Sequence, residues 1–205
     1  MTNKESINKR IINCNFCNVD IRETILDETK HFYIMPSLGS LVEGYILLIS
    51  KKHINSMSEL TKSEFDEYEF LINKYRKIFK EIYKKYPIIF EHGTPNLNGT
   101  MQTSSIFHAH THIVNHKFKN EKDLLRELNF KEIDNLNLVF NNYIFYINEK
   151  GKKYITYKFE SKSQLIRMKI AEDLNLIDKY DWHKNRFDNN INLTIDKIKN
   201  YNKKK

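Results

Sequence analysis

Three histidines at every second position, in the run Phe107-His108-Ala109-His110-Thr111-His112-Ile113-Val114, constrain this chain more than any other stretch. Thr, Ile and Val favour extended backbone, and side chains on a strand alternate between its faces. As a strand, the run places His108, His110 and His112 on one face and Ala109, Thr111 and Ile113 on the other, against something apolar. A helix would splay the rings apart, because positions i and i+2 share no face. A single strand histidine is usually half-buried with one hydrogen bond. Three on one face each need a partner, and they repel one another when protonated. Two chemistries then compete: a metal site, or a histidine nucleophile supported by its neighbours.

The length of 205 residues fits one domain with an appendage, and 40% hydrophobic with 13% aromatic residues can furnish its core. No apolar run is long enough to span a bilayer, and the start, MTNKESINKR, is polar. A soluble intracellular (cytoplasmic) protein without a membrane partner is expected. Cys14 and Cys17, the two cysteines, stand three apart, a spacing that suggests metal or redox chemistry more than a structural disulfide. The net charge of +8 would suit nucleic acid or a polyanionic small molecule. Lysine is spread along the whole chain, however. Solvated faces explain most of the charge, and a nucleic-acid patch is the less favoured reading.

Residues 1–10 are expected to be loose, and a CxxC knuckle with Phe16 inside follows. Runs at 31–36 (HFYIMP) and 44–50 (GYILLIS) read as a hairpin of buried strands, leaving through Lys51-Lys52-His53. Thr61 with Glu64 three residues on makes a capping box. Phe65, Tyr68, Leu71, Ile72, Tyr75, Ile78, Phe79, Ile82 and Tyr83 then recur at helical spacing up to Tyr86, opposite a lysine-rich face read as solvated; Pro87 stops the helix. Ile88 to Glu91 is a strand ending at His92-Gly93, and 94–104 is a surface loop. Beyond the histidines come a short helix at 121–128, a second hairpin (142–148 and 153–159), an amphipathic helix at 163–176 and a last helix at about 193–201.

His-Ala-His-Thr-His-Ile-Val resembles the signature of the histidine triad (HIT-like) superfamily of nucleotide hydrolases and transferases. The likeness extends to an ordered set. Cys14/Cys17, the hairpin ending in Lys51-Lys52-His53, the long helix and Glu91-His92-Gly93 precede the triad as they do in that superfamily, covering roughly residues 14–116. Gln164-Leu165-Ile166-Arg167 resembles C-terminal extensions of larger members. The implied fold is α+β: an antiparallel sheet of about five strands, the 61–86 helix packed on one face, and a C-terminal β-hairpin and helical extension. The implied division is a catalytic domain at 11–118 and an extension at 119–205 packed on it.

What the resemblance implies is attack by His110 on the α-phosphorus of a nucleotide or nucleotide conjugate, giving a nucleotidyl-histidine intermediate. His112 and Ser105 would serve the phosphate. Tyr45, Ser37, His92 and Ser104 stand at substrate-binding positions. Cys14, Cys17, His53 and His108 would hold a structural zinc. The chain departs from the family pattern at Tyr45, where a histidine is common, and at Ser37, where an acidic or amide residue usually meets the ribose. Glu91-His92-Gly93 lacks an amide, and Ser104 stands in place of a glutamine. Two rival readings remain open: a zinc metalloenzyme using His108, His110 and His112 together, and a non-catalytic nucleotide- or nucleic-acid-binding module. A homodimer is likewise left open.

Overall fold

The structure is a computed structural model describing residues 14–17, 24–95, 106–136, 141–158 and 162–204. Ser104 and Ser105 lie outside the described residues, as does the leading segment 1–10.

One antiparallel sheet organises the molecule. Its strands are β1 (Asp27–Glu28), β2 (Phe32–Pro36), β3 (Tyr45–Ser50), β4 (Ile88–Gly93), β5 (His110–Val114), β6 (Lys131–Ile133), β7 (Tyr143–Ile147) and β8 (Lys153–Thr156). Their order is β1-β2-β3-β5-β4-β7-β8-β6. The expected five strands are thus exceeded. The later hairpin, β7 and β8, continues the sheet by pairing β7 with β4, and β6 closes the far edge. β1 and β6 span two and three residues, too short to leave a period in the sequence.

The histidine strand β5 lies inside this sheet. Leu47 of β3 and Phe90 of β4 both stand opposite His112, and Ile49 stands opposite His110. Alternation along β5 splits its side chains between two cores. Ala109 and Ile113 join a cluster with Ile34, Leu48, Ile89 and Phe145. Val114 joins the other cluster, with Leu47, Phe90, Ile144 and Tyr146.

The first cluster is capped by helix α1 (Lys62–Tyr83), which buries Tyr68, Leu71, Ile72, Tyr75, Ile78 and Phe79. The capping box is present: the Glu64 side chain accepts from the Thr61 amide at 2.7 Å, and Thr61 Oγ1 accepts from the Glu64 amide at 3.5 Å. The helix stops three residues before the expected Tyr86, at Lys84 in the left-handed conformation (φ 60°). Arg76 leaves the solvated side and donates to the carbonyls of Asn148 and Glu149 in the β7–β8 turn. Helix α4 (Asp188–Asn202) also reaches the first cluster, through Ile198. It begins about five residues before the expected start, because Asp188, Asn189 and Asn190 are weak helix formers that read as a turn.

The second cluster is covered by helices α2 (Glu121–Glu127) and α3 (Leu165–Asp173) and by the Cys14–Cys17 knuckle. Both faces of the sheet are therefore dry over β2, β3 and β7, which accounts for continuous apolar runs instead of alternating ones. No described helix is long and apolar enough to cross a membrane.

Candidate functional site

A cleft opens on the second face of the sheet. His110, His112, Phe90 and His92 form its floor, Ser37 to Gly39 and Ile106 stand at its rim, and Gln164 to Arg167 with Trp182 form one wall. The backbone dictates the floor: β5 presents alternate side chains to this face, and its neighbours β3 and β4 add Leu47, Phe90 and His92.

His110 Nδ1 donates to the carbonyl of His108, 2.7 Å away on the same strand. That bond fixes the tautomer, so Nε2 carries the lone pair. Burial in the cleft holds the pKa of His110 below the ordinary imidazole value. The ring stands edge-on to Phe16 at 5.4 Å and to His112 at 4.9 Å between centroids.

His112 is stacked on Phe90, with ring centres 4.5 Å apart and 10° between planes. Burial first, then the nearby His110, Arg167 and His92, push its pKa well below the ordinary value. Its Nδ1 meets the Tyr45 hydroxyl at 2.9 Å. Burial raises the pKa of that phenol, with Arg167 opposing. Tyr45 thus keeps its proton and donates it to Nδ1, which leaves the His112 proton on Nε2. Tyr45, expected at a substrate-binding position, is fully buried against His112, because β3 turns it into the second core beside its strand partner Val114.

His92 lines the cleft, and burial followed by its neighbour His110 lowers its pKa to about 4. Ser37 is buried at the rim, where its amide donates to the Tyr45 carbonyl at 3.0 Å.

His108 has different company. Its Nε2 donates to the Ser50 carbonyl at 2.6 Å, turning Nδ1 toward Cys14 Sγ (3.4 Å) and Cys17 Sγ (3.5 Å). His53 Nδ1 lies 3.1 Å from Cys17 Sγ. One donor atom from each of these four residues falls within 4.8 Å of the others. Two thiolates and two imidazole nitrogens around zinc have tetrahedral edges of about 3.5 Å, from bond lengths of about 2.3 and 2.0 Å, so the donor set fits such an ion. Burial and the adjacent Cys14 push the Cys17 thiol up to about 12, so a thiolate here calls for a cation beside it. The three-histidine metal alternative does not match this geometry. Among the described residues, the metal-capable group is Cys14, Cys17, His53 and His108, and neither His110 nor His112 belongs to it.

The sequence reading did not place Arg167, Gln164 and Trp182 in the cleft. A signal existed for Arg167: it shares the apolar face of α3 with Ile170 and Ala171, at i+3 and i+4, and is itself buried.

An imidazole with its tautomer fixed by a strand carbonyl, its like neighbour and a separate Cys₂His₂ cluster on an antiparallel sheet define a histidine triad-like protein. The family model described as scavenger mRNA decapping enzyme C-term binding matches residues 10–127. The chain belongs to that family. Among curated proteins it is similar to "Protein hit" of Bacillus subtilis (strain 168), at 27% identity over 105 residues, 50% of this chain and 70% of that one. Similar solved structures include a zinc-bound histidine triad family protein from Mycobacterium smegmatis, 16% identical, covering 54% of this chain and 80% of that chain with a TM-score of 0.43. Another is a hypothetical histidine triad nucleotide-binding protein from Sulfolobus tokodaii strain7, 15% identical, covering 91% and 93% with a TM-score of 0.41.

Proposed function

We propose that this protein is a nucleotide hydrolase or nucleotidyl transferase that works at an α-phosphate through a covalent nucleotidyl-histidine on His110. Family membership supports a nucleotide-related function in general terms. The observation that carries the finer reading is the 2.7 Å bond from His110 Nδ1 to the His108 carbonyl, which leaves Nε2 unprotonated in a ring that lines the cleft.

In the first step the Nε2 lone pair forms an N–P bond, and the bond from phosphorus to the leaving group breaks. The leaving group keeps that electron pair and takes up a proton from solvent. His112, protonated on Nε2 through its bond with Tyr45, donates to the phosphoryl oxygens or to the departing atom. In the second step water or another acceptor attacks phosphorus and gives up its proton to solvent, the N–P bond breaks, and its electrons return to Nε2 of His110. Ser105 is proposed to contact the phosphate, and Ser37, His92 and Ser104 to border the substrate. The proposed site division follows the chain: Cys14, Cys17, His53 and His108 hold zinc, which would serve as a structural tie between the N-terminal knuckle, the turn after β3 and the start of β5. With four protein ligands it leaves no open position, so no step of the reaction passes through it.

The test is trapping. Nucleotide conjugates carrying ³²P at the α-position are mixed with the protein and quenched in alkali, where a phosphorus–imidazole bond survives. Base-stable, acid-labile label on the wild type, absent from His110→Ala, is the expected result. Full turnover by His110→Ala without label would remove the reading.

A further inference from the structure

The floor of the cleft is built from Phe90, His92, His110 and His112, none of which carries a permanent charge. Among the described residues that line it, the one with a permanent charge is Arg167, from helix α3.

Arg167 is 4% exposed. Its Nε donates to the Tyr180 carbonyl, and its guanidinium lies over the Tyr45 ring, 5.7 Å from the centroid. Its buried Nη2 has no hydrogen-bond partner. The same atom lies against Gly39 of the cleft rim, where a Cβ would come within 2.6 Å of it, so only a glycine leaves this space to the guanidinium. A buried cation with a donor left unmatched costs several kcal/mol unless something anionic meets it. A buried arginine anchored on the Tyr180 carbonyl and beside the Tyr45 hydroxyl, with Nη2 left unmatched, is built to receive an oxyanion.

We propose that Arg167 is the anion-binding residue of the cleft, its Nη2 holding a non-bridging oxygen of the phosphoryl group that His110 attacks. This rests on the nucleotidyl-histidine reading above and assigns the C-terminal segment a part in it. β3 contributes an uncharged Tyr45 beneath His112, and the cation comes from α3 instead. The substrate class is therefore a phosphoryl derivative carrying a full negative charge at the attacked phosphorus.

The experiment measures binding of AMP, GMP, CMP and UMP against their parent nucleosides by calorimetry on the full chain. Wild type should bind at least one monophosphate about tenfold or more tighter than its nucleoside, the scale of a charge-assisted hydrogen bond. Arg167→Gln should bring that ratio to within about twofold while leaving nucleoside affinity in place, and Arg167→Lys should keep part of it. A folded Arg167→Gln that preserves the full ratio overturns the assignment and leaves the nucleotidyl-histidine reading standing. Wild type without preference for any monophosphate overturns the assignment, and with label absent in the trapping test it takes that reading as well. Arginine side-chain NMR of the wild type gives an answer that needs no variant. The Arg167 Nε–H resonance should move when the preferred monophosphate is added, and a stationary resonance at saturation refutes the proposal.

Discussion

The neutrality of the cleft can be measured as stability. His92 has its pKa lowered to about 4 by burial and by His110, while an unfolded chain returns it to the ordinary 6.5. The folded state binds fewer protons than the unfolded one between those values, so acid favours unfolding. The stability that His92 contributes as a neutral ring is present above pH 6.5 and is lost as pH falls toward 4. Between pH 7 and pH 5 the unfolded imidazole takes up most of a proton and the folded one almost none. The linkage relation makes that worth roughly 2 kcal/mol, a large part of a typical stability of about 5–15 kcal/mol. The perturbation is His92→Gln, which keeps a polar side chain without a titrating group. Urea unfolding followed by tryptophan fluorescence at pH 7, 6 and 5 would give both curves. The wild type should lose roughly 2 kcal/mol more than His92→Gln over that interval. Equal losses in the two proteins would show that His92 takes up its proton in the folded state, and the account of a neutral cleft floor would fail.

Three further outcomes follow from other contacts. Tyr45→Phe removes the donor to His112 Nδ1 without opening space, so the trapping rate should fall by about 5- to 50-fold with little change in melting temperature; an unchanged rate would detach Tyr45 from the orientation of His112. Metal analysis by plasma mass spectrometry should find about one zinc per chain in wild type and His110→Ala, and much less in Cys14→Ser; the reverse pattern would favour a metal on the triad. Glu91, buried on the first-cluster side, accepts from the Met57 amide (2.8 Å) and the Tyr143 hydroxyl (2.5 Å), and burial raises its pKa to about 8. A raised carboxyl pKa means stability is lost as pH climbs from the unfolded value near 4.5 through 8. Wild type should therefore lose roughly 1 kcal/mol between pH 7 and 9 that Glu91→Gln retains, checked by denaturation at both pH values.

Sequence alone determined what is encoded within a few residues. The period of two across His108 to Val114, the Thr61/Glu64 box opening α1 and the apolar runs of β2, β3 and β7 are local patterns, and local backbone preferences act on them directly. An order of motifs along the chain could also suggest that Cys14, Cys17, His53 and His108 belong together, and the structure brings their donor atoms within 4.8 Å. Tertiary structure decided what depends on pairing between distant segments. The junction of β7 with β4 made eight strands of an expected five and set helices on both faces. It also decided that Tyr45 would be buried beneath His112 and that Arg167 would reach the cleft from α3. No local pattern encodes these positions, because each follows from which apolar surfaces bury one another once the whole chain collapses.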